Sequence, residues 1–258
     1  MKIAVIGCGV IGSALARHFA DENQVFLVDR TYKKSLALAQ ELGCVACETA
    51  AEAVQKADMV VLAFKPKDLA AFAEASSQAF KQAPVVISVL AGTPVAVLKR
   101  HFPWCLIVRI MPNLPMICGE GVIGFVQTPQ ITAEKRTLID AIFEGLGLLH
   151  WISEDQLEVL SAVAGSAPAF NLVLLQAMID SAVMLGFTQE EAQQYVLKAM
   201  EGTLALFKLA GDSEKLINQI ASPGGTTQAG LKVLAEKEIS QIIKEAYQAT
   251  FDRAKELH

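Results

Sequence analysis

The first 150 residues alternate short apolar runs with amphipathic stretches. Ile3–Ile6, Val25–Val28, Met59–Ala63, Val85–Val89, Leu106–Ile110 and Val122–Val126 are β-rich runs, with a further one at Leu148–Ile152. Between them Val10–Ala20, Lys33–Leu42, Ala50–Ala57, Asp68–Phe80, Pro94–His101 and Ala133–Leu146 read as helices. Thr93-Pro94 is a start signal, because Thr caps and Pro tolerates the first helical position. Strands apolar on both faces and separated by helices predict a parallel sheet covered on both sides. After Ile152 the β-branched runs stop, and long stretches rich in Ala, Leu, Gln, Lys and Glu follow. Pro168–Leu185 is apolar on nearly every face, as for a helix buried in a bundle or an interface. Gly186 ends it, Thr188–Glu191 has the form of a capping box, and Ser213 is placed to cap a short helix to Ile220. Two last helices follow the segment Ser222–Thr227. The expected fold class is an α/β Rossmann-like domain over residues 1–152, then an all-α domain over 153–258.

Composition narrows what such a chain does. Apolar residues make up 53% of its 258 residues. Its mean hydropathy is +0.39, which points to apolar surface buried between subunits. A net charge of −5, with no basic run, argues against nucleic acid, which needs a positive footprint. No apolar run reaches the ~18–20 residues that span a bilayer; Asn171, Gln176 and Asp180 interrupt the nearest one. No membrane partner and no signal peptide are therefore expected. Five cysteines fit a reducing compartment better than a disulfide framework, so the expected location is cytoplasmic. Cys44 and Cys47 form a CxxC that we read as structural, and no metal site is expected.

The chemistry begins at Gly7-Cys8-Gly9-Val10-Ile11-Gly12, which follows the first strand directly and opens a helix. Gly7 permits the turn, Gly9 lets a pyrophosphate approach, and Gly12 lets helix and strand pack closely. Val10 and Ile11 present amides at a helix start that favours negative charge. Asp29 ends the second strand, where an acid accepts hydrogen bonds from a ribose and selects NAD. Arg30 follows at once, with Lys33 and Lys34 near, and such cations would clamp the 2′-phosphate of NADP. The sequence sends both messages, so the cofactor is NADP or NAD. Three further loops follow strand ends: Ala63-Phe64-Lys65-Pro66, Ser88 through Gly92 with Ala91, and Arg109 through Pro115 with Asn113. Together they are expected to wall the cofactor.

Reducing a ketone calls for a general acid. His18, His101, His150 and His258 are none of them placed as a donor, and the buried helix after Gly165 offers no Lys. A cyclic imine is already protonated near neutral pH and needs only a carboxylate holder, a partner for its nitrogen, and exclusion of water. Ser222-Pro-Gly-Gly-Thr-Thr227 suits this, since Gly224 and Gly225 expose amides before a helix and Thr226 and Thr227 carry hydroxyls. The same residues also read as an ordinary Pro-Gly-Gly turn with a Thr cap, and pattern alone leaves both readings open.

Taken in order, the glycine loop, Phe64-Lys65-Pro66, Ser88–Gly92, Arg109–Pro115, Gly165-Ser166-Ala167-Pro168-Ala169-Phe170 and Ser222–Thr227 resemble the pyrroline-5-carboxylate reductase family over nearly the whole chain. The resemblance implies reduction of 1-pyrroline-5-carboxylate to L-proline, a small-molecule substrate. It also implies a homodimer through the helical domain, with larger rings in some members. Ala63–Pro66 and Ser88–Gly92 would bound the nicotinamide and ribose. Gly224, Gly225 and Thr226 would receive the substrate carboxylate, and Thr227, the catalytic residue, would face the ring nitrogen. Ser166 and Glu154 match positions near the substrate. The chain departs from the family pattern at Ala167, where Gly is usual, and at Thr49–Ala50, where a polar residue such as Asn makes a cofactor contact. It departs again at Asp29, where Asn or Ser is commoner. The alternatives are a reductase of another cyclic imine, towards which Ala167 would tilt the pocket, and a non-catalytic dinucleotide-binding paralogue.

Overall fold

The structure is a computed structural model and describes residues 1–82 and 85–256. Its eight strands are β1 (Lys2–Ile6), β2 (Gln24–Val28), β3 (Val45–Ala46), β4 (Met59–Leu62), β5 (Val85–Ser88), β6 (Leu106–Met111), β7 (Gly121–Val126) and β8 (Gly147–Ile152). Six helices are interleaved with them: α1 (Val10–Ala20), α2 (Tyr32–Leu42), α3 (Ala50–Lys56), α4 (Leu69–Phe80), α5 (Val95–His101) and α6 (Ala133–Phe143). Along each strand alternate residues face opposite ways. Ile3, Val5, Val25 and Leu27 pack with α1, α2 and α6 residues such as Leu15, Leu38 and Phe143. Ala4, Ile6, Phe26 and Val28 pack on the other face with Val54, Leu69 and Leu98. Both faces are covered, as the unbroken apolar runs require.

Strand order is β3-β2-β1-β4-β5-β6-β7-β8. The chain winds outward from β1 in one direction and from β4 in the other. The switch point between β1 and β4 is where open α/β sheets leave a crevice. The expectation of a wholly parallel sheet is corrected at one place, since β7 runs antiparallel to β6 and carries β8 parallel to itself. Between Met111 and Gly121 the connection holds only a single 3₁₀ turn at Leu114–Cys118. A parallel crossover needs a longer link, so the strand turns back.

The start of α5 also differs from expectation. Thr93 does not cap it; its hydroxyl lies 3.4 Å from the Ala91 carbonyl oxygen. The Val95 amide instead donates to Glu154 Oε1 at 2.8 Å. Glu154 opens α7 (Glu154–Leu160), which the sequence reading left unassigned, behind a capping box of Ser153 and Gln156. Arg109, near the end of β6 and 3% exposed, donates to Glu154 at 3.0 Å and to Glu158 at 2.7 Å. One guanidinium thus joins the sheet to α7, and through Glu154 to α5.

A π-helical turn, Ser161–Gly165, continues α7 into α8 (Ser166–Met184). Pro168 has no N–H to give the carbonyl four residues back, which is Ala164. Asn113 supplies the donor: its Nδ2 reaches the Ala164 oxygen at 2.9 Å, while its Oδ1 accepts from the Val122 amide at 2.8 Å. The apolar helix therefore begins before Pro168.

The chain divides into two compact units, residues 1–165 with 251–258, and residues 166–250. The second holds most of α8, then α9 (Gln189–Ala210), α10 (Ser213–Ile220), α11 (Thr226–Glu236) and the greater part of α12 (Ile239–Glu256). The Thr188–Glu191 capping box forms as expected, whereas α10 is capped by Asp212 rather than Ser213. Among α8 residues only Ile179 is buried, and Leu172, Val173 and Met184 stand exposed. By length and composition alone, the continuous helix Glu154–Met184 is apolar enough to cross a membrane. That corrects the expectation that no segment reaches the threshold.

Removing Arg109 leaves two carboxylates facing a buried gap. Arg109→Met is expected to lower unfolding free energy by about 3 kcal/mol, near the low end for breaking a buried pair. Denaturant titration of the two proteins checks this; a loss below about 1 kcal/mol, as for an exposed pair, would show the bridge to be incidental.

Candidate active site

The C-terminal ends of β1, β2, β4, β5 and β6 share one edge of the sheet, because these strands are mutually parallel. The glycine turn lies there. Gly7 has φ +106°, and a side chain on it would collide with the Ala63 carbonyl; one on Gly12 would collide with the Gly7 carbonyl. Both glycines are needed to bring α1 against the sheet. Gly9 is different: a Cβ there meets nothing within 4 Å. Gly9 is also the N-cap of α1, with no capping side chain and no acidic residue in the first turn. The first intrahelical bond is Ser13 N–H to Gly9 O, so the amides of Val10, Ile11 and Gly12 have no intrahelical acceptor. Open space above unspent donors at a positive helix end fits a pyrophosphate.

Asp29 is tied to this turn. Its Oδ2 accepts the Cys8 amide and its Oδ1 the Thr31 amide, each at 2.9 Å. Burial, and then the Asp29 charge, push the Cys8 thiol up to about 11, against the opposing pull of Lys34. Cys8 therefore stays neutral at ordinary pH and adds no negative charge beside a bound phosphate. Arg30 is exposed, its guanidinium 3.9 Å from Asp68.

The other predicted contacts divide. Ala63 and Phe64 are half-buried beside the glycine turn, Lys65 and Pro66 exposed. Phe64 packs on Phe72, ring centroids 4.7 Å apart. Ala91 is exposed and Gly92, at φ +64°, turns the loop. Ser88 is placed otherwise than expected: it is wholly buried, and its hydroxyl accepts the Leu90 amide at 3.3 Å. Asn113 likewise spends both ends of its amide on Ala164 and Val122. These hydrogen bonds shape the two loops. Thr49 caps α3 through the Glu52 amide. A cavity of about 30 Å³ lies between Leu90–Gly92, Arg109, Met111, Glu158 and Ser161, room for one water. Glu154, expected near the substrate, has its Oε1 engaged by Arg109 and Val95. Of the histidines, His18 sits 3.0 Å from the Ile142 carbonyl, and His258 lies outside the described residues.

In the second unit, Ser166 is half-buried at the start of α8. The Ser222–Thr227 segment forms a turn with Gly224 at φ +72° and Gly225 as N-cap of α11. Here the geometry amends the sequence reading. The Gly224 amide donates to Gln228 Oε1 at 2.7 Å and the Gly225 amide to Ser222 O at 3.0 Å. Neither glycine N–H is free for a carboxylate. A Cβ at Gly225 would sit 2.6 Å from Ser222 Oγ, so that glycine makes the turn possible. The open donors are the amides of Thr226, Thr227 and Gln228, which precede the first helical bond of α11, Ala229 N–H to Gly225 O. The hydroxyl-bearing Thr226 and Thr227 are exposed and follow a cap that has no side chain of its own.

Gln228 carried no role in the sequence reading, and Arg109 was expected only as part of a loop walling the cofactor, whereas its guanidinium pairs with Glu154 and Glu158. Arg109 had a signal, as the one charge in an otherwise apolar strand; Gln228 had none.

A doubly wound sheet with an open glycine turn at its switch point, followed by a helical domain, fits the class of dinucleotide-dependent oxidoreductases. Family models agree: residues 2–92 match NADP oxidoreductase coenzyme F420-dependent, and residues 154–257 match Pyrroline-5-carboxylate reductase dimerisation. The pyrroline-5-carboxylate reductase of Pseudomonas aeruginosa is 30% identical over 99% of this chain and 96% of its own. That of Synechocystis is 31% identical over 80% of this chain and 77% of its own. This chain belongs to the pyrroline-5-carboxylate reductase family. Among solved structures, the reductase of Coxiella burnetii has TM-score 0.85 and 27% identity, covering 99% of this chain and 98% of that one. The Plasmodium falciparum enzyme with NADP bound has TM-score 0.89 and 23% identity, over 100% and 98%.

Proposed function

We propose that this protein reduces 1-pyrroline-5-carboxylate to L-proline, the last step of proline biosynthesis, with NADPH or NADH. The carrying observation is a pair of glycine-capped helix starts, at α1 and α11, each lacking a capping side chain and an acid in its first turn. Each is a place for an anion: the α1 start for a pyrophosphate, the α11 start for a carboxylate. The cofactor supplies the hydride when bound. Gly7, Gly9 and Gly12 shape its seat, with the Val10, Ile11 and Gly12 amides holding the pyrophosphate. Ala63–Pro66, Ala91 and Gly92 bound the nucleoside end of the reaction. The amides of Thr226 and Thr227 hold the substrate carboxylate, and the Thr227 hydroxyl accepts the proton of the iminium nitrogen in a hydrogen bond. Such a site works by positioning and desolvation more than by acid–base transfer.

Assembly follows from the same helices. The chain acts as a homodimer through the helical domain, and association into larger rings is compatible with its remaining exposed apolar residues. The support is that Leu172, Val173 and Met184 lie uncovered on α8, inside the segment matched by the dimerisation model. The cytoplasm is the location we propose, since Cys8, Cys44, Cys47, Cys105 and Cys118 are all free thiols.

Thr227→Ala is expected to lower kcat/KM for pyrroline-5-carboxylate by about ten- to a hundredfold, the cost of roughly 1.5–3 kcal/mol of hydrogen bonding to a charged group. Steady-state kinetics indistinguishable from the parent would remove Thr227 from the reaction. Val173→Glu places a charge on the uncovered face of α8 and is expected to give a monomer at micromolar concentration. Sedimentation velocity decides it: a variant that sediments with the parent puts the interface elsewhere.

A further inference from the structure

Cofactor choice is undecided by the sequence, because an acid and three cations stand together after β2, but the structure separates them by how firmly each is held. Asp29 is held at both oxygens. Oδ2 takes the Cys8 amide from inside the glycine turn, and Oδ1 takes the Thr31 amide at the entry to α2. Swinging the carboxylate aside would break two charge-assisted bonds and release the turn that seats the pyrophosphate. Its position is therefore a fixed feature of the site. A carboxylate has about four lone-pair directions, so two backbone donors leave it able to accept ribose hydroxyls as well.

The cations are held differently. Arg30 is 88% exposed in its side chain, and its nearest acid is Asp68 at 3.9 Å. Lys33 and Lys34 stand exposed in the first turn of α2. Lys34 is near enough to oppose the rise of the Cys8 thiol, yet among the described residues nothing is shown to anchor its ammonium. Exposed charges in water are screened and contribute little per pair, whereas a half-buried carboxylate pinned by backbone amides is not moved aside. A 2′-hydroxyl brought beside Asp29 donates to it. A 2′-phosphate brought there is an acceptor-only dianion facing a fixed negative charge, and like charges in contact are strongly unfavourable.

We infer that Asp29 makes this chain select NADH over NADPH. The inference rests on the dinucleotide-reductase reading given above and sets this protein apart from the NADP-bound member of its family. The same bond that pins Asp29 links selection to turn geometry. The acid that reads the ribose also holds the amide of Cys8, so a substitution has to keep one function while removing the other. Asp29→Asn keeps a carbonyl acceptor for the Cys8 amide and discards the charge. Asp29→Ser removes the charge with a shorter side chain.

The experiment is calorimetric titration of the purified full chain, without substrate, with NADH and separately with NADPH. The expected result is NADH binding at least about tenfold tighter than NADPH. Asp29→Asn should move the NADPH-to-NADH affinity ratio by about tenfold or more towards NADPH, and Asp29→Ser should move it the same way. Equal or tighter binding of NADPH by the parent chain overturns the assignment and leaves the reductase reading standing. A parent preference for NADH that both folded variants retain also overturns it, because the preference then lies elsewhere. Binding of neither dinucleotide overturns both readings at once. Should a variant fail to fold, judged by its circular dichroism melt, the parent affinities and the other variant still decide the question.

Discussion

A guanidinium buried at the end of β6 has to find carboxylates, and how Arg109 does so sets much of the geometry around the site. An unpaired charge there would cost several kcal/mol, so α7 has to lie where Glu154 and Glu158 reach it. Once Glu154 is there, it also meets the Val95 amide and becomes the cap that α5 does not have in its own sequence. The loop from Ser88 to Pro94 is then pinned at both ends, by β5 and by the start of α5. Asn113 adds a second tie, from the β6–β7 connection to the carbonyl that Pro168 leaves unpaired. Polar side chains such as Glu154 and Asn113 thus hold the scaffold, and around them the loops keep their shape.

The two helix starts show the same economy. Five other helix starts are closed by their own cap side chains: Thr49, Thr132, Ser153, Thr188 and Asp212 each accept a first-turn amide. At α1 and α11 glycine stands in the cap position, and the amides stay unspent. Glycine is costly in ordered structure, so a fold that accepts it twice at helix starts gives up stability for accessible donors. At Gly7, Gly12 and Gly225 the reason is steric, since a side chain would strike neighbouring groups. At Gly9 no neighbour forbids a side chain, and the reason has to be what approaches from outside.

What could be read from sequence follows from the range of the interactions. The strands were legible because two covered faces demand continuous apolar runs, and the Thr188–Glu191 box because a cap is local chemistry. Two-residue β3 was too short to leave a pattern. The reversal at β7 was invisible because periodicity carries no direction. Glu154 and Val95 lie 59 residues apart, and no spacing rule joins them. In the site, the glycine turn and the Ser222–Thr227 loop were legible as types of backbone. Which amides stay open was not, since that depended on Gln228 reaching back to Gly224 and on Ser222 folding under Gly225. The internal partners of Ser88 and Asn113 were hidden for a similar reason: residue type fixes what a side chain can bond, and tertiary packing fixes what it does bond.

The uncovered apolar surface of the second unit asks what covers it, and the distribution of that surface bears on the answer. Glu154–Met184 passes the length and composition test for a membrane span, but it begins with three acids, Glu154, Asp155 and Glu158, and carries Asp180 near its end. Exposed apolar residues also occur on α9, at Tyr195, Leu204 and Phe207, on α11, at Val233 and Leu234, and on α12, at Ile242. These stand among charged residues on the same helices, such as Lys198, Glu201, Lys232 and Lys244. A bilayer would cover one helix and strand the charges of the others in hydrocarbon. A protein surface can meet apolar stripes and charged margins together, as interfaces with an apolar core and a polar rim do. In the homodimer proposed above, a second copy of the chain would offer that surface in complementary form through two-fold symmetry. The constraint that left α8 apolar on nearly every side would then be satisfied in the proposed assembly.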